Sequence, residues 1–361
     1  MKDQEIPQRK RVLLTGAGGF IGAHVLEHLL ESTDWWIVCT DSFRHKGKTD
    51  RISDVLNTDT GVCGPRERRE RVKVIMHDLR APISTQMKDQ LGDINYILAV
   101  ASESHVDRSI TEPVEFIRNN TEVALSTLEF AKEHIPLEHL IWVSTDEVYG
   151  PITGTHDHKE WAPILPSNPY SASKAAQEAM AIAYWRTYGV PLTIVNCMNL
   201  IGERQDPEKY LPMLISRISN GEKVQVHGSK EEIGTRHYLH ARNLADAMLF
   251  LLRKNPPLWS PVIPGLPPVM DDAVLMPNRY NVVGPDRVNN LELAVMVSEI
   301  IGKPLKYRLV DFHRMRPGHD AHYGLDPAKL TDRGWKPPIS FTDSLERTVR
   351  WTLAHPEWVK E

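Results

Sequence analysis

Between Arg11 and about Asn199, short apolar runs rich in β-branched residues alternate with longer amphipathic stretches. A chain with that rhythm buries both kinds of segment by laying parallel strands side by side and covering both faces with helices. The strand candidates are Val12-Leu13-Leu14, Ile37-Val38-Cys39, Val72–Met76, Tyr96–Val100, Leu140–Val143 and Leu192–Val195. The helical candidates between them are Ile21–Leu30, Pro113–Glu133 and Tyr170–Tyr188. The expected fold is therefore α/β, a doubly wound parallel sheet over residues 1–199 with a smaller α/β unit over 200–361, later segments returning to the first unit. Beyond Gly202 the rhythm loosens. Asn255–Arg279 holds seven prolines and two acidic residues and reads as a long surface excursion, either functional or disordered. The run Arg66-Glu67-Arg68-Arg69-Glu70-Arg71 alternates in sign and reads as a solvated helix face.

Composition removes several function classes. Hydrophobic residues make up 41% of the 361 and charged residues 25%, which excludes a disordered, collagenous or coiled-coil chain. A net charge of −4, from 43 basic and 47 acidic residues, gives no bulk attraction for nucleic acid. No stretch approaches the ~20 apolar residues of a membrane span, and Met1–Lys10 lacks the apolar core of a signal peptide. Cys39, Cys63 and Cys197 lie far apart and suit neither a disulfide framework nor a zinc site. The expectation is a cytoplasmic protein with no metal, no nucleic-acid partner and no membrane partner.

Two motifs carry chemistry. Thr15-Gly16-Ala17-Gly18-Gly19-Phe20-Ile21-Gly22 follows the first strand and opens the first helix, the context of a dinucleotide fingerprint. Gly16 permits the turn, Gly19 lets the backbone approach a pyrophosphate, and Gly22 allows helix and strand to pack closely. Asp41 ends the second strand nineteen residues after Gly22, where a carboxylate would bond the ribose hydroxyls of NAD and repel the extra phosphate of NADP. Arg44 tempers that preference. Asp78 would face the adenine edge or cap a strand end. Further along, Ser144-Thr145 ends a strand and Tyr170-Ser171-Ala172-Ser173-Lys174 follows Asn168-Pro169. Tyr and Lys four apart share a helix face, and the Lys174 ammonium is expected to lower the Tyr170 phenol towards neutrality as a general base.

The Gly-x-x-Gly-x-x-Gly spacing with Tyr-x-x-x-Lys resembles the extended short-chain dehydrogenase/reductase superfamily. Glu103–Ile110, the triplet Thr145-Asp146-Glu147, Pro207–Pro212 and Arg316–Asp320 narrow the resemblance to nucleotide-sugar 4,6-dehydratases, and the likeness runs from Arg11 to about Trp351. Such a lyase serves deoxysugar biosynthesis. The resemblance implies C4 oxidation by Tyr170 with NAD, removal of the C5 proton by Glu147, and protonation of the leaving O6 by Asp146. Thr145 would bond the C4 oxygen beside Tyr170, and hydride would return to C6, giving a 4-keto-6-deoxy sugar. Implied cofactor contacts are Gly16, Gly19, Phe20, Ile21, Gly22, Asp41, Asp78, Leu79, Ala101, Ser102, Asn119, Tyr170 and Lys174. Implied sugar-nucleotide contacts are Ser104, Thr145, Asn199, Lys209, Arg236 and Arg316, with His319 beside the phosphates. Helices Pro113–Glu133 and Tyr170–Tyr188 would pair two subunits as a homodimer. Departures are Asn199-Leu200-Ile201-Gly202, where the family commonly has Asn-Asn-Tyr-Gly, and Ala99, where it has His. The alternatives are a 4-epimerase or decarboxylase of the same superfamily, against which Asp146 argues, and a non-catalytic NAD-binding regulator, against which the intact Tyr170, Lys174, Asp146 and Glu147 argue.

Overall fold

The structure, a computed structural model, describes residues 9–134, 136–152, 157–229, 233–254, 276–284, 286–310 and 323–359. The first half runs β1 (Arg11–Thr15), α1 (Phe20–Ser32), β2 (Trp36–Asp41), α2 (Thr49–Asn57), α3 (Pro65–Arg71), β3 (Val72–Met76), α4 (Thr85–Leu91), β4 (Tyr96–Ala99), α5 (Val106–Thr111) and α6 (Pro113–Glu133). After β5 (His139–Thr145) come a 3-10 turn over Asp146–Tyr149, α7 (Pro169–Tyr188) and β6 (Leu192–Cys197). The remainder runs β7 (Leu200–Ile201), α8 (Tyr210–Ser219), β8 (Val224–His227), β9 (Thr235–His237), β10 (Leu239–His240), α9 (Ala241–Lys254) and β11 (Asn278–Val282). It ends with β12 (Arg287–Asn289), α10 (Asn290–Ile301), β13 (Tyr307–Val310), α11 (Ala328–Asp332) and α12 (Phe341–Ala354).

Seven of these strands form one parallel sheet in the order β11-β6-β5-β4-β1-β2-β3. This is the Rossmann-type doubly wound sheet that the alternation predicts. The winding reverses between β1 and β4, and in such sheets ligands bind outside the carboxyl ends of the strands at that reversal. Burial explains the strand sequences. Every residue of β5 and β6 is buried, and most are apolar, whereas the edge strand β3 leaves Val74 and Met76 exposed. Side chains alternate between the faces. Val12 and Leu14 pack with Val25 and Leu26 of α1 and Met248 of α9, while Leu13 packs with Leu128 of α6 and Trp185 of α7. Each such buried side chain contributes roughly 1.5–3 kcal/mol. A separate apolar cluster ties Leu214 of α8, Leu293 and Val297 of α10, and Leu345 and Val349 of α12. Among the described residues no helix is long and apolar enough to cross a membrane.

Two expectations need correction. Asn278 and Arg279 are not surface excursion but the start of β11, paired with Thr193 and Ile194 of β6, and Arg279 is fully buried. The proline run masks a strand of only five residues that begins with a polar pair. Residues 255–275 of that stretch lie outside the described residues. The basic run is helix α3, yet only Arg66, Glu67, Arg69 and Glu70 are solvated. Arg68 and Arg71 turn inward and donate to the carbonyls of Cys63 and Val55 and of Leu30, Thr33 and Trp35 respectively. A guanidinium with five donors can be buried when carbonyls at loop ends satisfy it, which a charge pattern does not reveal.

Candidate active site

At the reversal point the cofactor side is built mostly from backbone. Gly16 has φ +69°, and a Cβ there would lie 2.8 Å from the Ala101 Cα. A Cβ on Gly22 would lie 2.1 Å from the Gly16 carbonyl oxygen. Helix α1 starts at Gly19 with no capping side chain, so the N–H groups of its first turn keep their capacity for an anion. Asp41, at the end of β2, is held by the Gly18 N–H (2.9 Å) and the Phe43 N–H (2.8 Å). Burial pushes its carboxyl upward, and those two N–H groups oppose the shift. Phe20, Ile21, Asp78, Leu79, Ala101, Ser102 and Asn119 line the same cleft. Arg44 crosses it, 3.0 Å from Asp78 and donating to Asn119 (3.2 Å). The cradle of glycines, the uncapped helix start and a carboxylate at the end of β2 fit an NAD molecule.

The reacting side is built from side chains at the end of β5 and the start of α7. The Thr145 hydroxyl donates to Asp146 (2.9 Å) and accepts from the Glu147 N–H (3.3 Å), so Thr145 caps the turn that carries both carboxyls. Asn168 opens α7 through a capping box with Ser171, and its amide donates to Glu147 (3.0 Å). That cap puts Tyr170 within hydrogen-bond reach of Thr145. Phe116 of α6 meets the Tyr170 ring edge-on, with centroids 6.1 Å apart. The Lys174 ammonium donates to the Val143 carbonyl (2.9 Å) and to Gln177 (2.7 Å). Thr145, Asp146, Glu147, Tyr170 and Lys174 all line the cleft.

Ser104, Asn199, Lys209 and Arg236 also line it, whereas Arg316 and His319 lie outside the described residues. Asn199 has φ +28°. The Arg236 guanidinium stacks 4.6 Å from the centre of the Tyr323 ring and faces Asp146. Lys209 is brought in by the segment after β7, which a buried arginine holds to the glycine loop. Arg51 donates to the carbonyls of Gly18 (3.2 Å) and Arg204 (3.0 Å) and lies 3.0 Å from Asp206.

The comparisons with known proteins agree with this geometry. Residues 12–259 match the NAD dependent epimerase/dehydratase family. The chain belongs to that family. It is 33% identical to the dTDP-glucose 4,6-dehydratase of Neisseria gonorrhoeae, over 96% of both chains. It is 30% identical to the trifunctional UDP-glucose 4,6-dehydratase/UDP-4-keto-6-deoxy-D-glucose 3,5-epimerase/UDP-4-keto-L-rhamnose-reductase of Arabidopsis thaliana, covering 97% of this chain and 48% of that one. The crystal structure of the dTDP-glucose 4,6-dehydratase of Streptomyces venezuelae, with NAD bound, superposes with TM-score 0.80 at 28% identity, covering 96% of this chain and 98% of that one. Kinship over the whole length thus lies with hydro-lyases, and the chain is an enzyme of that class with NAD as its cofactor.

Electrostatics set this family member's reacting groups apart. Burial first and Glu147 second push the Asp146 carboxyl up to about 7, so it keeps a proton near neutrality. Burial pushes Lys174 down to about 8. Tyr170 corrects an expectation: its phenol is raised well above the usual value, by burial and then by Glu147, rather than lowered. The reason is that the Lys174 ammonium points at the Val143 carbonyl and Gln177, and the charges that face the phenol are Glu147 and Asp146. Sequence reading also missed Arg51, Cys197 at the cleft floor, and the buried Glu178 beneath Lys174. Only Glu178 left a signal, the helical spacing of four from Lys174. His24, Glu203 and His240 form the one metal-ligating type of cluster among the described residues. It is a buried ion network: Glu203 binds Arg347, burial pushes His24 down to about 3, and none of the three lines the cleft.

Proposed function

We propose that this enzyme dehydrates a nucleoside diphosphate hexose of the dTDP-glucose kind to its 4-keto-6-deoxy product. The observation that carries the proposal is the pair Asp146 and Glu147, adjacent in one turn, one protonated near neutrality and the other held by Asn168, in the same cleft as Tyr170 and Thr145. Oxidation alone needs only a base. Elimination of water across C5 and C6 needs a base and an acid at once.

Residues 1–199, with the returning β11, would hold NAD through the glycine loop, the start of α1 and Asp41, and residues 200–361 would supply most of the sugar-nucleotide contacts. NAD, when bound, supplies the hydride acceptor for C4, the hydride donor for C6 and the positive charge of its ring. Tyr170, as the phenolate that the positive ring of bound NAD and the Lys174 ammonium would favour, takes the proton of the C4 hydroxyl, and Thr145 holds that oxygen. The resulting ketone makes the C5 proton acidic, and the Glu147 carboxylate removes it. The electron pair left at C5 forms the C5–C6 double bond as O6 departs, and Asp146 gives O6 the proton that makes it water. Hydride return to C6 would leave an enolate that takes its proton at C5 from Glu147, and the proton that Tyr170 took from O4, released through solvent, balances the one Asp146 gave to O6, so the enzyme is restored. Lys209 and Arg236 furnish cations for the diphosphate, where a planar guanidinium donates two parallel bonds. An epimerase has no use for a protonated carboxyl beside the base. Helices α6 and α7 supply the faces for a homodimer, and three free, buried cysteines suit a reducing cytoplasm.

Mass spectrometry of purified enzyme with NAD and a panel of nucleoside diphosphate hexoses tests the reading. Loss of one water from the dTDP-glucose or UDP-glucose member is expected. Epimerisation at unchanged mass, or loss of carbon dioxide from a uronic acid, would overturn it.

A further inference from the structure

A buried ammonium that meets only neutral acceptors tends to give up its proton. Lys174 is in that position, because its partners are the Val143 carbonyl and the Gln177 side chain, and among the described residues no carboxylate lies within ion-pair distance of it. One turn further along α7, on the same face, sits Glu178, which does not line the cleft. We propose that Glu178 is a positioning residue: it keeps Lys174 an ammonium ion and fixes the end of β5, and Arg279 holds the Glu178 carboxylate in place. The inference rests on the assignment of Tyr170 and Lys174 to C4 oxidation.

Three sets of contacts support it. The Glu178 carboxylate meets the Arg279 guanidinium at 2.5 Å, and both side chains are wholly buried. Its other oxygen accepts from the Asn196 amide (2.8 Å), which also donates to the Thr145 carbonyl (2.9 Å). Glu178 thus reaches, through one side chain, the residue that caps the catalytic turn. Arg279 extends the network to the same turn, donating to the Tyr149 hydroxyl (3.3 Å) and the Glu160 carbonyl (3.1 Å) while its guanidinium lies 4.3 Å from the centre of the Trp161 ring.

The arrangement is poor as a device for stability alone. A buried ion pair recovers its desolvation cost only when every polar atom is satisfied, yet the Arg279 Nε and the Asn196 Oδ1 lack a partner among the described residues. An apolar pair would avoid that cost, but it would leave Lys174 with no negative charge beneath it. The groups that act on Lys174 fit this view: burial lowers it, and the first charge opposing burial is that of Glu178.

If Lys174 works as an ammonium ion, activity falls as pH rises through its pKa, and loss of the Glu178 charge moves that limb to lower pH. Glu178→Gln alone would strand Arg279, so the variant is Glu178→Gln with Arg279→Met, which leaves neither charge unpaired. Two readouts are taken on the full-length enzyme: the alkaline limb of kcat/KM with NAD and dTDP-glucose, and the pH dependence of Lys174 acetylation by acetic anhydride, read by peptide mass spectrometry. The second needs no sugar turnover. Both midpoints are expected to move down by about one pH unit, and Glu178→Asp is expected to keep them near the wild-type values. Unmoved midpoints in the folded double variant, or an equal shift in Glu178→Asp, would overturn the inference. Lys174→Met separates the two levels. Loss of turnover there beside unmoved midpoints overturns the role of Glu178 alone, and retained turnover overturns the role of Lys174 as well.

Discussion

The two walls of the cleft are made of different materials. The cofactor wall consists of peptide groups and missing side chains: Gly16, Gly19 and Gly22, the uncapped start of α1, and one carboxylate at the end of β2. The reacting wall consists of charged and phenolic side chains in low dielectric, with Asp146 and Lys174 both displaced from their ordinary pKa values by burial. A backbone wall tolerates no added atom but needs little tuning. A wall of buried charges tolerates isosteric change in shape yet depends on every neighbouring charge. Lesions in the first wall should therefore appear in NAD binding, and lesions in the second in turnover at unchanged NAD affinity.

Tyr170→Phe removes the base and should reduce turnover by about 10²–10⁴-fold, with calorimetry showing NAD bound as in the wild type. A matching loss of NAD affinity would erase the distinction between the walls. Asp146→Asn should leave C4 oxidation possible and slow the loss of water by a factor of the same order, so that absorbance of reduced nicotinamide builds up in single turnover. Normal dehydration by that variant would remove Asp146 from the role of acid. Gly22→Ala drives a methyl group into the Gly16 carbonyl and should cost about 1–3 kcal/mol, seen as weaker NAD binding and a lower melting temperature. Asp41→Asn should weaken NAD by roughly tenfold without altering the pH profile of bound enzyme.

The remaining expected effect is on stability. Asp146 has its carboxyl raised from 3.8 to about 7, so the folded chain holds a proton there that the unfolded chain has released. That contribution is fully present below the unfolded value and is lost as pH rises through the folded one. Asn carries no such dependence. Asp146→Asn should accordingly melt above the wild type at alkaline pH, with the gap closing as pH falls from about 7 towards 4. A constant gap across that window would contradict the raised carboxyl.

What the sequence disclosed follows the same division. Periodicity located β1 to β6, α1, α6 and α7 to within a few residues, because buried parallel strands and packed helices impose their period on the chain. The glycine loop, Asp41 and Tyr170-x-x-x-Lys174 were legible because their spacing is local. The pairing of Glu178 with Arg279 was not, since 101 residues separate the partners and β11 hides behind prolines. Inward-facing Arg68 and Arg71 were misread because a charge pattern carries no record of carbonyls waiting at loop ends. The raised phenol of Tyr170 was missed for a similar reason: helical spacing places Lys174 on the right face but does not say which acceptor its ammonium has already found.

The most direct test of 4,6-dehydration follows the hydrogen at C4. Enzyme, NAD and dTDP-glucose carrying deuterium at C4 are allowed to react, and the product is examined by NMR. Deuterium at C6 of a 4-keto-6-deoxy sugar is the predicted result. Deuterium retained at C4 of an epimerised sugar, or a product that has lost no water, would contradict it.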